Sequence, residues 1–241
     1  MLWRLSDDSF AGESAATISN TKAANEVEQL SVAEGLQAWL FASEPMLRNP
    51  TDMDIDERGR VWVVEGVNYR STFQKWGILQ PAGDRIVILE DTNRDGLADK
   101  ETVFYQDPSI NAALGICVLG NKVIVSDSPN VFILTDTDGD GKADQRELLF
   151  TGIGGVDHDH GVHAFVFGPD GKLYFNMGNE SKQLAYPLTR EVPLHGAVRS
   201  VPSRPVIDLA GNEVKSQGKP YRMGMVFRCN PDGSEVETLA W

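Results

Sequence analysis

The sequence predicts an all-β fold, and three observations lead there. Short runs rich in Val, Ile, Phe and Tyr recur between clusters of Gly, Asn, Asp and Pro, the way strands and their turns read. No stretch after residue 40 carries helical periodicity of conventional length. The third observation is a repeat. "ERGRVWVVE" (57–65), "LGNKVIVSD" (119–127) and "PDGKLYFNMG" (169–178) each place a glycine turn and one or two polar residues before an apolar strand. Two of them lead into a second match, "RIVILEDTNRDGLADKETVF" and "NVFILTDTDGDGKADQRELLF". A period near 50 to 60 residues built of four short strands is the pattern of a β-propeller blade. A β-sandwich explains the strands but not the period.

Taken in order, residues 1–28 are polar and are expected to form a flexible tail, ending at most in a helical turn. From "LQAWLFASEP" onward the chain reads as strands, so residues 29–241 form the propeller segment. Roughly three to three and a half blades fit there, whereas closed propellers have four to eight. An unclosed ring would leave sheet edges exposed. The expected architecture is therefore a partial β-propeller of three to four blades, the amino-terminal part of a six-bladed parent.

The composition supports a folded chain, with 41% hydrophobic residues among 241. The net charge of -13 argues against nucleic acid, which requires a basic patch. No segment approaches the length of a membrane-spanning helix, and the first residues lack the basic and apolar regions of a secretory signal. Cys117 and Cys229 stand far apart and show no metal-type spacing. They are expected to pack as small apolar residues, with a disulfide between them left open.

Nine acidic residues fall in two loops. In "TDTDGDGKADQRELLF" (135–150), Asp136, Asp138 and Asp140 alternate before Gly141, Asp144 follows, and Glu147 takes position 12. That is the ligand order of a calcium loop, where clustered carboxylates need a cation to relieve their repulsion. Strand-like sequence on both sides excludes an EF-hand, so the loop is expected to be a β-hairpin turn folded around an ion. The second loop offers Asp91, Asn93, Asp95 and Asp99, with Thr102 at position 12, and is expected to bind more weakly. Asp-rich turns held only by side-chain-to-backbone hydrogen bonds are the plainer alternative.

Three of the four histidines, His158, His160 and His163, lie within six residues, interleaved with Asp157 and Asp159. The segment runs into the strand "AFVF", so it is expected at the mouth of the central channel. A histidine oriented by a carboxylate suits general-base work, and clustered imidazoles suit a transition metal. A solvated polar loop is the plain reading.

"DHGVHAFVFGPDGKLYFNMGNE" resembles a segment of the soluble glucose dehydrogenase and sorbosone dehydrogenase propellers. "EGLQAWLFASEPMLRNPTDMDIDERGRVWVVE", followed by "ILEDTNRDGLADKETVF", is more similar still to the membrane-bound dehydrogenase family of planctomycetes and verrucomicrobia. Members of that family are long secreted or periplasmic proteins in which a propeller often precedes helical repeats and a c-type cytochrome domain. The resemblance spans residues 29–241 and implies an extracytoplasmic oxidoreductase using calcium and pyrroloquinoline quinone (PQQ). A sugar or other alcohol would be the substrate, and haem c would sit in a further domain. It assigns His160, eight residues before Gly168, as general base and Asp159 as its orienting partner. His163 stands where those propellers have a small residue. The cofactor-binding arginine and asparagine of the family come after a segment like "RCNPDGSEVETLAW", so the quinone-binding residues of this protein are expected outside the chain. A non-catalytic propeller binding polysaccharide or a protein partner is the rival, with Trp62, Tyr69 or Trp76 as aromatic platforms.

Overall fold

The structure is a computed structural model that describes residues 2–5, 21–71, 77–153, 160–178, 184–198, 201–206, 215–216, 219–220 and 224–240. Within the segment expected to be a tail, β1 (Leu2–Leu5) pairs antiparallel with β2 (Leu36–Trp39), and α1 (Thr21–Glu28) is a short helix. Among the described residues no helix is long and apolar enough to cross a membrane.

Three four-stranded antiparallel blades come next, as the repeat predicts. The first is β3 (Pro50–Ile55), β4 (Val61–Glu65), β5 (Arg85–Glu90) and β6 (Lys100–Gln106). The second is β7 (Gly115–Leu119), β8 (Lys122–Asp127), β9 (Asn130–Thr135) and β10 (Gln145–Phe150). The third opens with β11 (Val162–Phe167) and β12 (Leu173–Met177). It is then interrupted by an insertion carrying β13 (Ala185–Pro187), β14 (Ser203–Pro205), β15 (Lys215–Ser216) and β16 (Lys219–Pro220), and closes with β17 (Met225–Cys229) and β18 (Glu237–Ala240). Strand order follows chain order within each blade, which is a propeller meander.

The middle strands explain their continuous apolar runs. A strand buried on both faces has no polar side to show. Trp62, Val64, Ile86, Ile88 and Phe104 of the first blade pack on Val123, Val125, Phe132 and Leu134 of the second. On its opposite face the second blade sets Ile124, Val131, Ile133 and Leu149 against Leu173, Phe175, Met177 and Phe227 of the third. Alternation along each strand thus divides the second blade between two cores. Phe175 and Phe227 stack at 5.2 Å between centroids, and burying each such ring contributes about 1.5–3 kcal/mol. Cys117 and Cys229 lie in the same core as free thiols, their pKa values pushed up to about 12 by burial.

The innermost strands are joined by side chains rather than a ladder. Asp52 Oδ2 accepts from Ile116 N at 3.0 Å and Asp54 Oδ2 from Val118 N at 2.6 Å. The other oxygen of each takes an edge N–H of β3 itself, from Met53 and Ile55. Equal steps along β3 and β7 mean that the two strands run parallel. One free edge is inherent to an innermost strand, and these carboxylates satisfy it for both neighbours. Met53 and Ile55 alternate to the other side and are exposed, as are Val166, Val226 and Leu239 of the third blade.

Candidate functional site

Parallel innermost strands give the blades two distinct ends. The turns between first and second and between third and fourth strands lie at one, the hairpin end. Blade-to-blade connections and the loops between second and third strands lie at the other, the crossover end. Both Asp-rich loops join third to fourth strands, at the hairpin end. His160 precedes β11, at the crossover end.

The two Asp-rich hairpins fold alike. Asp136 takes the N–H groups of Gly139 and Gly141 at 2.7 and 2.9 Å, and Asp91 takes those of Arg94 and Gly96 at 2.6 and 2.8 Å. Asp138 and Asn93 play one role, accepting from Asp140 N and Asp95 N at 3.1 and 2.9 Å. Asp140 and Asp95 each accept from the residue two further on, Lys142 N and Leu97 N. Gly96 and Gly141 have φ values of 94° and 84°, a conformation that favours glycine. Strands flank both loops, in keeping with hairpins and against an EF-hand.

Carboxylate oxygens of Asp136, Asp138 and Asp144 lie within 4.8 Å of one another, the one such group among the described residues. Calcium sits 2.3–2.6 Å from hard oxygen ligands, so three oxygens at this spacing suit it. Asp144 is further held by Thr137, whose hydroxyl and N–H approach at 2.5 and 2.9 Å and keep its carboxyl below the usual range. Asp140 and Glu147 stand outside the group. Glu147 belongs to β10, opposite Ile133 and bridged to Glu191, because the chain has already returned to the sheet by position 12.

At the crossover end, Asp157, His158 and Asp159 lie outside the described residues. His160 forms the turn into β11, half-buried. Gly178 N–H is shared between the carbonyls of His160 and Gly161 at 3.2 Å each. Gly161 presses against Ser128 of the second blade, so the turn is wedged between second and third blades. His163 lies in β11 opposite Asn176, just before a bulge, and is near enough to Asp52 for the two to interact electrostatically. Burial pushes the Asp52 carboxyl up, against the N–H groups it accepts and the pull of His163.

Trp62 is not a platform. It is 3% exposed, packs edge-on against Phe104 at 4.8 Å and donates Nε1 to Asp56 at 2.9 Å. Its position in a middle strand, between two blades, forces it inward. Tyr69 is half-buried with Arg70 over its ring, and Trp76 lies outside the described residues.

Two features escape the sequence. The fourth histidine, His195, sits on the third-blade insertion, which lies along β10 through bridges at Thr151–Ala185 and Glu147–Glu191 and reaches the first blade. There Asp107, 5% exposed, accepts from His195 Nδ1 at 3.1 Å, from Gly196 N and from Ser109. Burial raises the Asp107 carboxyl, but these donors outweigh it and hold it below its ordinary value. Tyr105 stacks on the His195 ring and donates to Leu194 O, while Arg146 donates to Pro193 O and Gly196 O at 2.7 Å. The second feature is Asp84, fully buried under the crossover loops, which accepts Asn68 N and Ala112 N. Burial pushes it up to about 6. Partners 88 and 28 residues away leave no local signal for either.

A family model described as "Domain of unknown function (DUF7133)" matches residues 22–235. No curated protein matches the chain. Among solved structures, a calcium structure of a Trichoderma reesei Carbohydrate-Active Enzymes Family AA12 protein is 15% identical, with a TM-score of 0.45, over 64% of this chain and 38% of that one. The holo form of the PQQ domain of pyranose dehydrogenase from Coprinopsis cinerea is 17% identical, with a TM-score of 0.41, over 76% of this chain and 51% of that one. This chain thus spans about half or less of the length of those it matches. The propeller assignment rests on the blades themselves.

Proposed function

The chain belongs to the DUF7133 family, and we propose that it is part of a calcium-clasped, quinoprotein-type propeller that oxidises a sugar or other alcohol with His160 as general base. The observation that carries this reading is the separation of the two kinds of site. The carboxylate cluster is at the hairpin end, and the turn that carries the His160 imidazole is wedged at the start of the innermost strand on the crossover end. The ion is thereby scaffold, and the chemistry belongs to the histidine.

In this reading the His160 imidazole accepts the proton of a substrate hydroxyl while hydride leaves the adjacent carbon, so the alcohol becomes a carbonyl. Bound PQQ supplies the hydride acceptor. Asp159 is the proposed orienting partner of His160. A hairpin site with three clustered carboxylates and no bidentate twelfth ligand suits the roughly 10⁻⁴–10⁻³ M calcium affinities of extracellular modules, in line with an extracytoplasmic location.

The test is turnover of the gene product, supplied with calcium and PQQ, against a panel of aldoses and alcohols with a dye acceptor. Oxidation requiring both additions is expected. Polysaccharide retention with no turnover on any substrate would replace this reading with the non-catalytic one.

A further inference from the structure

We infer that Gly178 is the positioning residue for His160: the missing side chain at 178 is the space in which that turn and its ring are set. A Cβ built on Gly178 would stand 2.9 Å from His160 Cα, 3.1 Å from its Cβ and 3.2 Å from its Nδ1. The first of these is a main-chain atom, so rotating the imidazole cannot relieve the clash and the turn itself must move. Gly178 is not at positive φ, so its requirement for glycine comes from this close approach and not from backbone conformation. The same residue donates its N–H to the carbonyls of His160 and Gly161, which holds the turn against the end of β12. Gly161 closes the other side, against Ser128. With a glycine on each side, the turn has little room to relax.

The catalytic part of this inference rests on the proposed role of His160, while the positioning part does not. Gly178→Ala is expected to displace the His160 ring and lower kcat about 10- to 100-fold, the scale of a misplacement near 1 Å. Gly224→Ala is the matched control. Gly224 borders β17, and among the described residues an added Cβ there meets only Met177 O, at an ordinary 3.5 Å.

The readout is the histidine ring region of NMR spectra of the gene product, with the His160 signal assigned by its loss in His160→Asn. In Gly178→Ala the His160 ring signal should move, while the His195 ring signal stays in place and Gly224→Ala changes neither. An unmoved His160 signal overturns the inference. Should Gly178→Ala fail to fold, nuclear Overhauser contacts between Gly178 Hα and His160 Hα and Hβ in the unmodified protein decide it, and their absence overturns it. A moved ring with undiminished turnover would keep the positioning role and remove the proposed function.

Discussion

The backbone N–H of Ala143 donates to the carbonyl oxygen of Phe104 at 2.9 Å, which ties the second Asp-rich hairpin to the outer strand of the blade before it. The first hairpin repeats the contact, with Ala98 N donating to Phe41 O at 2.8 Å. Their glycines do likewise, Gly141 facing Thr102 and Gly96 facing Trp39. Residues 39–41 therefore stand to the first blade as β6 stands to the second. In the third blade, Gly233 presses on Leu149 of β10, but its hairpin lacks the aspartate ladder. An ion bound in an Asp-rich hairpin would stiffen a contact between blades.

Calcium should raise the melting temperature, and EDTA should lower it. At free calcium a hundred times the dissociation constant the gain is about 2.7 kcal/mol. Asp138→Asn should abolish most of that gain while leaving the calcium-free protein as stable as before, because Asn93 already fills the equivalent place with the same acceptor bond. Thermal melts at several calcium concentrations check this. Equal calcium shifts in variant and parent would remove Asp138 from the site.

Asp54→Ala should loosen the junction of first and second blades. It strands the N–H groups of Ile55 and Val118, at about 1–3 kcal/mol for each one kept from water. Urea titration should show a lower midpoint, with Asp54→Asn falling between variant and parent. A midpoint unchanged in the alanine variant would show that water replaces the carboxylate at no cost.

Trp62→Ala should cost about 3–5 kcal/mol, as expected for a large aromatic removed from a core. Trp62→Phe should cost less, losing chiefly the Asp56 hydrogen bond. Glycan retention per folded molecule, measured on an affinity gel, should be the same for Trp62→Phe and parent.

Stability should fall as pH rises from about 4 to about 6 on account of Asp84. Its folded-state value, about 6, lies above the ordinary 3.8 of an aspartate. Its contribution is therefore complete below about 4 and is lost as pH climbs through 6. Two pKa units correspond to at most about 3 kcal/mol. Urea unfolding of Asp84→Asn and parent at pH 4.5, 5.5 and 6.5 should show the gap between them narrowing with pH. A constant gap would contradict the assignment.

The blades are legible in the sequence because each middle strand is buried twice, which writes an apolar run, and because each hairpin writes a glycine turn. The Asp loops are legible as turns, since Asp and Gly at fixed offsets bond locally. Their ligand count is not, because the twelfth position depends on the element after the loop, and here a strand carries Glu147 off to Glu191. The strand entrance at His160 can be read from its neighbours, whereas its close contact with Gly178 joins residues at the ends of two strands and has no mark in either segment. Trp62 misleads for a related reason. An aromatic reads the same whether its face meets water or Phe104.

The most direct test compares kcat for His160→Ala and His195→Ala in the gene product, with calcium and PQQ present. Removing a general base costs about 10²–10⁴-fold. The account predicts a loss of that size at His160 and near-parent turnover at His195, whose ring, carried by the insertion, faces Asp107 at the first blade. Undiminished turnover in His160→Ala would contradict it.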